Sequence, residues 1–273
     1  MLSKNHIQMV QAETHIFQCE GEDTLPFLHR LLTNHVQKMP SRTCQWNALL
    51  DRKGKVRTLF QLYKLSDTAA LCIGSPLAIE KAHSILKSLV FSERITFTDV
   101  SDKYRHLMFV GREAETAIAN TCGHLEISWR EELYAVPVIH ALLPAASPMP
   151  SQIFLLPKET FDLLRMQACI PEFGIDITED NILLEGNLGH AHVRGKGCYP
   201  GQEVIERLYA YADGKTPRLL KTIRLKGEQH FTHDQEVSMN GEVLGQARSF
   251  IYNPAEDATL VMVYGKRSTL DRF

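Results

Sequence analysis

The sequence predicts an α+β fold in which a body of alternating strands and helices precedes an all-β C-terminal module. Two observations carry this. Apolar residues recur at helical spacing over residues 21–36, 75–90 and 157–169, and strand-like runs lie between these stretches. Asn240-Gly241 separates the short alternating runs 236–239 and 242–244, and this pair signals a hairpin because both residues tolerate φ > 0. The length of 273 residues, 44% of them hydrophobic, suits roughly two domains of about 100–200 residues. It also allows a core without disulfide staples. The expected division is a body over 1–215, with a possible joint near 143–150, and a C-terminal module over 216–273.

The elements follow in order. Residues 14–20 read as a strand. Leu25, Leu28, Leu31, Leu32 and Val36 mark a helix within 21–36, with Asp23 placed to cap it and Pro26 in its first turn. Residues 57–65 alternate and pair with 69–73 across the Ser66-Asp67 turn. Ser75-Pro76 opens a helix through Val90. Strands over 95–100 and 106–110 precede a helix over 113–121 that Gly123 closes. Pro144, Pro148 and Pro150 make 143–150 a joint. A strand over 153–156 and a helix over 157–169, stopped before Pro171, complete the body. Residues 172–195 hold no sustained period and are read as mostly loop. Residues 218–225 and 259–264 add strands to the C-terminal hairpin.

Composition excludes several classes. Thirty basic side chains against 32 acidic ones argue against a dedicated nucleic-acid coat or an acidic tail. Cys19, Cys44, Cys72, Cys122, Cys169 and Cys198 form no CxxC pair, which excludes a zinc ribbon and a thioredoxin motif. The polar start over 1–14 does not read as a secretory signal, so the thiols are expected reduced and the compartment cytoplasmic. The mitochondrial matrix is the alternative, although no transit peptide is seen. No run reaches the ~20 apolar residues of a membrane span. GxGxxG and GxxxxGK[ST] are both absent from the sequence.

One segment stands apart: Lys196-Gly197-Cys198-Tyr199-Pro200-Gly201-Gln202-Glu203, followed by Arg207. Gly197 and Gly201 bracket a tight loop, and a helix is expected to start at Gln202. A lysine and a helix N-terminus on either side of Cys198 both favour a thiolate. That makes Cys198 a candidate nucleophile, redox thiol or soft-metal ligand. Free cysteines are more often small buried hydrophobes, and that reading stays open on chemistry alone.

KGCYPGQE closely resembles the K-G-C-Y-x-G-Q-E signature of the YgfZ-type folate-binding family, relatives of the glycine-cleavage T-protein (aminomethyltransferase). Gly21-Glu22-Asp23, Phe27-Leu28 and Leu31-Leu32-Thr33-Asn34 resemble the family's opening, with His35 in place of an aspartate. Arg52-Lys53-Gly54-Lys55-Val56 resembles its G-K/R-V turn, and Ile170-Pro171 its G-I-P step. Glu185-Gly186-Asn187-Leu188 resembles its E-x-N-L. The resemblance implies a T-protein-like α/β body around a central cavity with a small C-terminal β-barrel. It further implies binding of tetrahydrofolate or a folate derivative, and a role in assembly or maintenance of iron–sulfur clusters. Bacterial clients of the family include tRNA-thiolating enzymes, so any tRNA partner is indirect.

By the same resemblance Cys198 is the reactive side chain, Lys196 tunes its charge, and Tyr199, Gln202, Glu203 and Arg207 order its loop. Glu185 is the expected pterin anchor, with Phe161, Asn187 and Gly197 completing the folate contacts. One departure bears on chemistry. T-protein relatives carry acids after their G-G-I turn, whereas Gly54-Lys55-Val56-Arg57-Thr58-Leu59 has none. Aminomethyl transfer is therefore not expected, although a folate-dependent aminomethyl or one-carbon transferase is the alternative function.

Two further features allow more than one reading. Residues 194–226 hold eight basic side chains against three acidic ones, a strip suited to a polyglutamate tail, an RNA backbone or an acidic protein. It suits a solvated face equally well. His190 and His192 would share a face if they lay on a strand, but no fourth ligand accompanies Cys198, and no metal site is expected.

Overall fold

A computed structural model describes residues 7–121, 125–149 and 153–273. Residues 1–6, Cys122, Gly123 and Pro150 lie outside the described residues. The first two strands, β1 (Ile7–Ala12) and β2 (His15–Glu20), are consecutive in sequence yet enter different sheets. Glu13-Thr14 is the crossing point, and both residues end up on the wall of a cavity.

The chain continues through α1 (Thr24–Leu31), β3 (Cys44–Leu50), β4 (Val56–Lys64), β5 (Ala69–Gly74), α2 (Pro76–Ser88) and β6 (Thr96–Asp99). These strands form an antiparallel sheet in the order β3-β4-β5-β2-β6. Side chains alternate across it as the two-residue period requires. Phe60 and Leu62 pack with Phe27, Leu28, Ile79 and Leu86 of the two helices. Tyr63, Leu71 and Ile73 belong to a different core cluster, shared with the second sheet. Helix α1 ends at Leu31, five residues before the periodicity does. Leu32 is extended and bridges Leu49, and the Thr33 hydroxyl accepts the Ala48 N–H, so strand-like contacts win over the helical pattern. Asp23 sits at the N-terminus of α1 but caps nothing there; its carboxylate accepts the Arg94 N–H at 2.8 Å.

The second sheet adds β7 (Tyr104–Val110), helix α3 (Ala114–Thr121), β8 (Ile127–Glu131), β9 (Val138–Pro144) and β10 (Ile153–Leu155), in the order β10-β1-β7-β9-β8. Among the described residues of this sheet, only the β1–β10 pair is parallel. Leu143 and Pro144, expected in a joint, complete β9 instead, where Pro144 at the strand end loses no essential ladder bond. Ile127, Trp129 and Leu142 from this sheet meet Ile16, Tyr63 and Ile73 from the first. Helix α4 (Lys158–Gln167) follows. Residues 172–195 then run mostly as loop with two short 3-10 turns, Leu183–Gly186 and Gly189–Ala191, before α5 (Gln202–Ala212).

The last four strands are β11 (Arg218–Lys226), β12 (Glu236–Met239), β13 (Glu242–Asn253) and β14 (Ala258–Lys266), ending in the short α6 (Arg267–Leu270). The Asn240-Gly241 hairpin forms, with both residues at positive φ. The expected barrel is corrected by the pairing. The sheet is open, in the order β11-β14-β13-β12, and no strand pair closes it among the described residues. A bulge between Ala247 and Phe250 bends β13. Val237, Leu244 and Ala247 thereby reach Val261 and Val263 on one face. The opposite face, with Leu260, Met262 and Tyr264, packs into a cluster holding Leu50, Leu59, Leu184 and Tyr199 of the body. Strand β14 is buried on both faces, between the curl of its own sheet and the body, so the sheet is anchored without closure.

Candidate functional site

Where the first two sheets diverge they leave a cavity of about 410 Å³, within the range of small-molecule sites. Apolar and aromatic side chains dominate its wall, including Trp46, Leu59, Ile73, Met108, Tyr134, Phe161 and Phe173. The Tyr134 and Phe161 rings lie 5.5 Å apart. The Trp46 indole N–H donates to Glu131 Oε2 at 2.7 Å, and the Gln61 amide donates to the same oxygen at 3.2 Å. Burial raises the Glu131 carboxyl above its ordinary range, and the Trp46 bond opposes that shift. At one end the wall is charged, with Lys158, Asp162, Arg165 and Glu172. Burial also raises Glu172, with Arg165 opposing. Thr14, His106 and His140 also line the cavity.

Among the residues expected to contact folate, Phe161 lines this cavity. Glu185 is not on its wall. It lies in the Leu183–Gly186 turn, where Oε2 accepts the Ile182 N–H at 3.0 Å and the Tyr264 hydroxyl at 3.0 Å. Asn187 takes the left-handed conformation that ends this turn, at φ 61°, and is exposed. Gly197 is exposed at φ 110°. Sequence reasoning missed Trp46, Glu131 and Glu172, which come from three separate segments; Glu172 directly follows the Ile170-Pro171 step, the one nearby signal that could have pointed to it.

No residue of the signature loop lines this cavity. Cys198 is exposed, whereas Lys196 and Tyr199 are buried. The Lys196 ammonium donates to the His29 carbonyl and sits 5.1 Å from the Tyr199 ring centre. Burial lowers Lys196 to about 8, and the neighbouring Cys198 pulls it back up. The Gln202 amide oxygen accepts the Tyr199 N–H at 3.2 Å, closing the loop onto the first turn of α5. Glu203 and Arg207 face solvent on that helix. Gly201 has φ 79°, and a Cβ there would stand 2.3 Å from the Asp51 carbonyl and 3.0 Å from the Gly54 Cα. Two sequence motifs, Gly54-Lys55-Val56 and Gly201-Gln202-Glu203, are thus one packing contact.

Thr33 and Asn34 connect loop and cavity. The Thr33 hydroxyl donates to the Ala191 carbonyl at 2.6 Å, and the Asn34 amide donates to the carbonyls of Trp46 and His190, each at 3.3 Å. His190 meets the Trp46 ring edge-on at 6.0 Å. His192 instead stacks on Tyr209 at 5.6 Å, 3.8 Å from Glu206. The two histidines occupy a 3-10 turn and its end, not a strand, so the shared face expected of H-x-H is not formed. No cluster of three or more ligand-type side chains suits a metal ion among the described residues.

Acid should destabilise this protein. His29, His106 and His190 are each lowered to about 4, with burial the first cause in all three. Unfolded histidine takes up its proton near pH 6.5. Between pH 6.5 and 4 the unfolded chain therefore binds more protons, and stability falls as the pH falls. The raised Glu131 and Glu172 act in the opposite sense but are fewer. The urea midpoint is expected to drop from pH 7 to pH 5, with about 2 kcal/mol of the loss from His106. A midpoint that holds steady over this range would contradict the assignment.

Residues 6–139 match the GCVT N-terminal domain family. An aminomethyltransferase of Picosynechococcus sp. is 21% identical over 91% of this chain and 75% of its own length. Another, from Lysinibacillus sphaericus, is 24% identical over 83% and 69%. The crystal structure of glycine cleavage system aminomethyltransferase T from Bartonella henselae superposes with a TM-score of 0.77. It covers 96% of this chain and 79% of its own at 15% identity. The fold is that of a T-protein. Together these similarities support a relationship to the T-protein superfamily. No helix of the described residues is long and apolar enough to cross a membrane.

Proposed function

We propose that this T-protein-like chain binds tetrahydrofolate or a close derivative in the 410 Å³ cavity. We further propose that it uses Cys198 in the assembly, repair or maintenance of iron–sulfur clusters in client enzymes, tRNA-modifying ones included. The observation that carries the folate half is the cavity itself: aromatic walls for a flat ring system, with the carboxylates of Asp162 and Glu172 among them. The aminomethyltransferase relatives support it. The KGCYPGQE signature and the exposure of Cys198 support the second half. Folate and the client enzymes or assembly proteins are the proposed partners.

Glu172 is the proposed pterin carboxylate on the cavity wall, while Glu185, held by Tyr264 and Ile182, supports the loop behind it. Tetrahydrofolate titrated by tryptophan fluorescence should bind about tenfold more weakly to Phe161→Ala, the loss of one aromatic contact worth about 1.4 kcal/mol. Glu172→Gln should weaken binding at least as much, and Glu185→Gln much less. Unchanged affinity in Phe161→Ala and Glu172→Gln would place the ligand elsewhere. Cys198→Ala should keep folate affinity yet fail to restore client-enzyme activity in a deletion strain.

A second reading, one-carbon transfer to folate, draws on Glu172, whose raised carboxyl is suited to proton transfer. Against it, the β4 residues in line with the cavity are Arg57, Leu59 and Gln61, and Arg57 is turned outward to Glu179 at 2.9 Å. The basic strip is partly spent within the chain: Arg218 covers Tyr264, Lys221 donates to the Leu270 carbonyl, and Arg224 pairs with Glu256.

A further inference from the structure

We propose that Thr14, His106 and His140 form a proton relay running from the cavity rim to a ligand atom at the inner wall. Thr14 Oγ1 lies 2.9 Å from His106 Nδ1, and His106 Nε2 lies 2.9 Å from His140 Nδ1. All three residues line the cavity. His106 and His140 are 6% and 4% exposed, whereas Thr14 is half-buried in the two-residue link between β1 and β2. His140 Nε2 is buried and has no hydrogen-bond partner among the described residues. The ring that carries it lines the cavity, and an orphaned buried nitrogen there calls for a polar partner, which a ligand atom that enters the wall would supply. Trp129 lies flat on the His140 ring at 4.8 Å and tilted against His106 at 5.5 Å, which holds both rings in place.

Burial keeps both imidazoles neutral, so each has one hydrogen and the chain has two consistent settings. In the first, Thr14 donates to His106 Nδ1, His106 Nε2–H donates to His140 Nδ1, and His140 Nε2 carries a hydrogen. In the second, His140 Nδ1–H donates to His106 Nε2, His106 Nδ1–H donates to Thr14, and His140 Nε2 is a bare lone pair. Passing from first to second delivers one proton. The His140 Nε2–H bond breaks as a ligand–H bond forms. His140 Nδ1 takes the proton of His106 Nε2, His106 Nδ1 takes that of the Thr14 hydroxyl, and Thr14 takes one from water at the rim. Both rings stay neutral throughout, and the reverse shift removes a proton from the ligand.

The ligand class served is a heterocycle with a basic or exchangeable ring nitrogen. Assigning that role to folate rests on the proposed function above, where the relay would supply the proton partner that the β4 stripe lacks. The test does not depend on that assignment. In ligand-free protein with ¹⁵N-labelled histidine, exchange of the His140 imidazole N–H with water is measured by saturation transfer at neutral pH. Thr14→Val and His106→Gln should each slow it at least tenfold, and Thr14→Ser should restore it. Rates within twofold of the parent in both Thr14→Val and His106→Gln would overturn the relay. Failure of tetrahydrofolate to bind in the titration would instead remove the cofactor reading and leave the relay standing.

Discussion

Replacing Asp176 by alanine is expected to cost about 3 kcal/mol of stability, because it takes the nearest carboxylate from the buried Arg165 guanidinium and leaves only Asp162 at 3.4 Å and Glu172 at 3.9 Å. Asp176 is fully buried and bridges three segments. Its Oδ2 accepts from Arg165 Nη1 at 2.6 Å and from the Glu172 N–H at 2.8 Å, and its Oδ1 accepts the Ser249 N–H at 3.1 Å. Arg165, on α4, also donates to the Ile170 carbonyl at 3.1 Å and the Ser249 hydroxyl at 3.2 Å. One carboxylate therefore ties α4, the 170–176 loop and β13 together. Urea unfolding measures the loss. Arg165→Met combined with Asp176→Leu should be milder than Asp176→Ala alone, since the fully buried pair goes together and only the more exposed Asp162 and Glu172 lose a partner. A single-variant loss under about 1 kcal/mol would mean that the pair holds little together. Arg165 and Glu172 both line the cavity, so folate affinity should fall in parallel.

What the sequence made legible, and what it did not, follows the reach of each signal. Helices α2 and α4, the Asn240-Gly241 hairpin and the start of α5 at Gln202 are local facts, fixed by periodicity and turn chemistry. The end of α1 was misread because Leu32 and Thr33 answer to Leu49 and Ala48, partners across the fold that no window of sequence contains. The barrel was misread for a related reason. Alternation in β11 to β14 fixes which faces are buried, but closure depends on whether the edge strands meet, and the bulge in β13 lets the sheet curl onto the body instead. At the site, the motif around Cys198 was visible because its residues are contiguous. Glu131 and Glu172 were not: Glu172 joins the cavity wall only through the fold that sets it beside Arg165, and Glu131 reaches that wall only through its bonds to Trp46 and Gln61. Glu185 shows the converse: a motif position identified it, and its carboxylate is engaged by Tyr264.

The contact between the two glycine motifs should be the most sensitive point of the signature loop. Gly201→Ala places a methyl 2.3 Å from the Asp51 carbonyl oxygen, closer than any real Cβ contact, in a backbone conformation at φ 79° that alanine adopts with strain. The obstacle is backbone on both sides, since Gly54 N and Cα also lie near 3 Å, so no side-chain rotation relieves it. Either the turn between β3 and β4 or the Tyr199–Gln202 closure has to move. A cost of about 2–4 kcal/mol is expected, strain and overpacking combined. Gly195→Ala is the control: its φ is 72°, but nothing stands within 4 Å of a Cβ there, so only the conformational cost of about 1 kcal/mol remains. The two variants should also part in chemistry. Displacing Gly201 shifts Cys198 away from Lys196 and the first turn of α5, so the rate of Cys198 alkylation at pH 7 should change severalfold in Gly201→Ala and hold in Gly195→Ala. Equal stabilities and equal alkylation rates in the two would mean that the close approach of Gly54 and Gly201 does not set the position of the thiol.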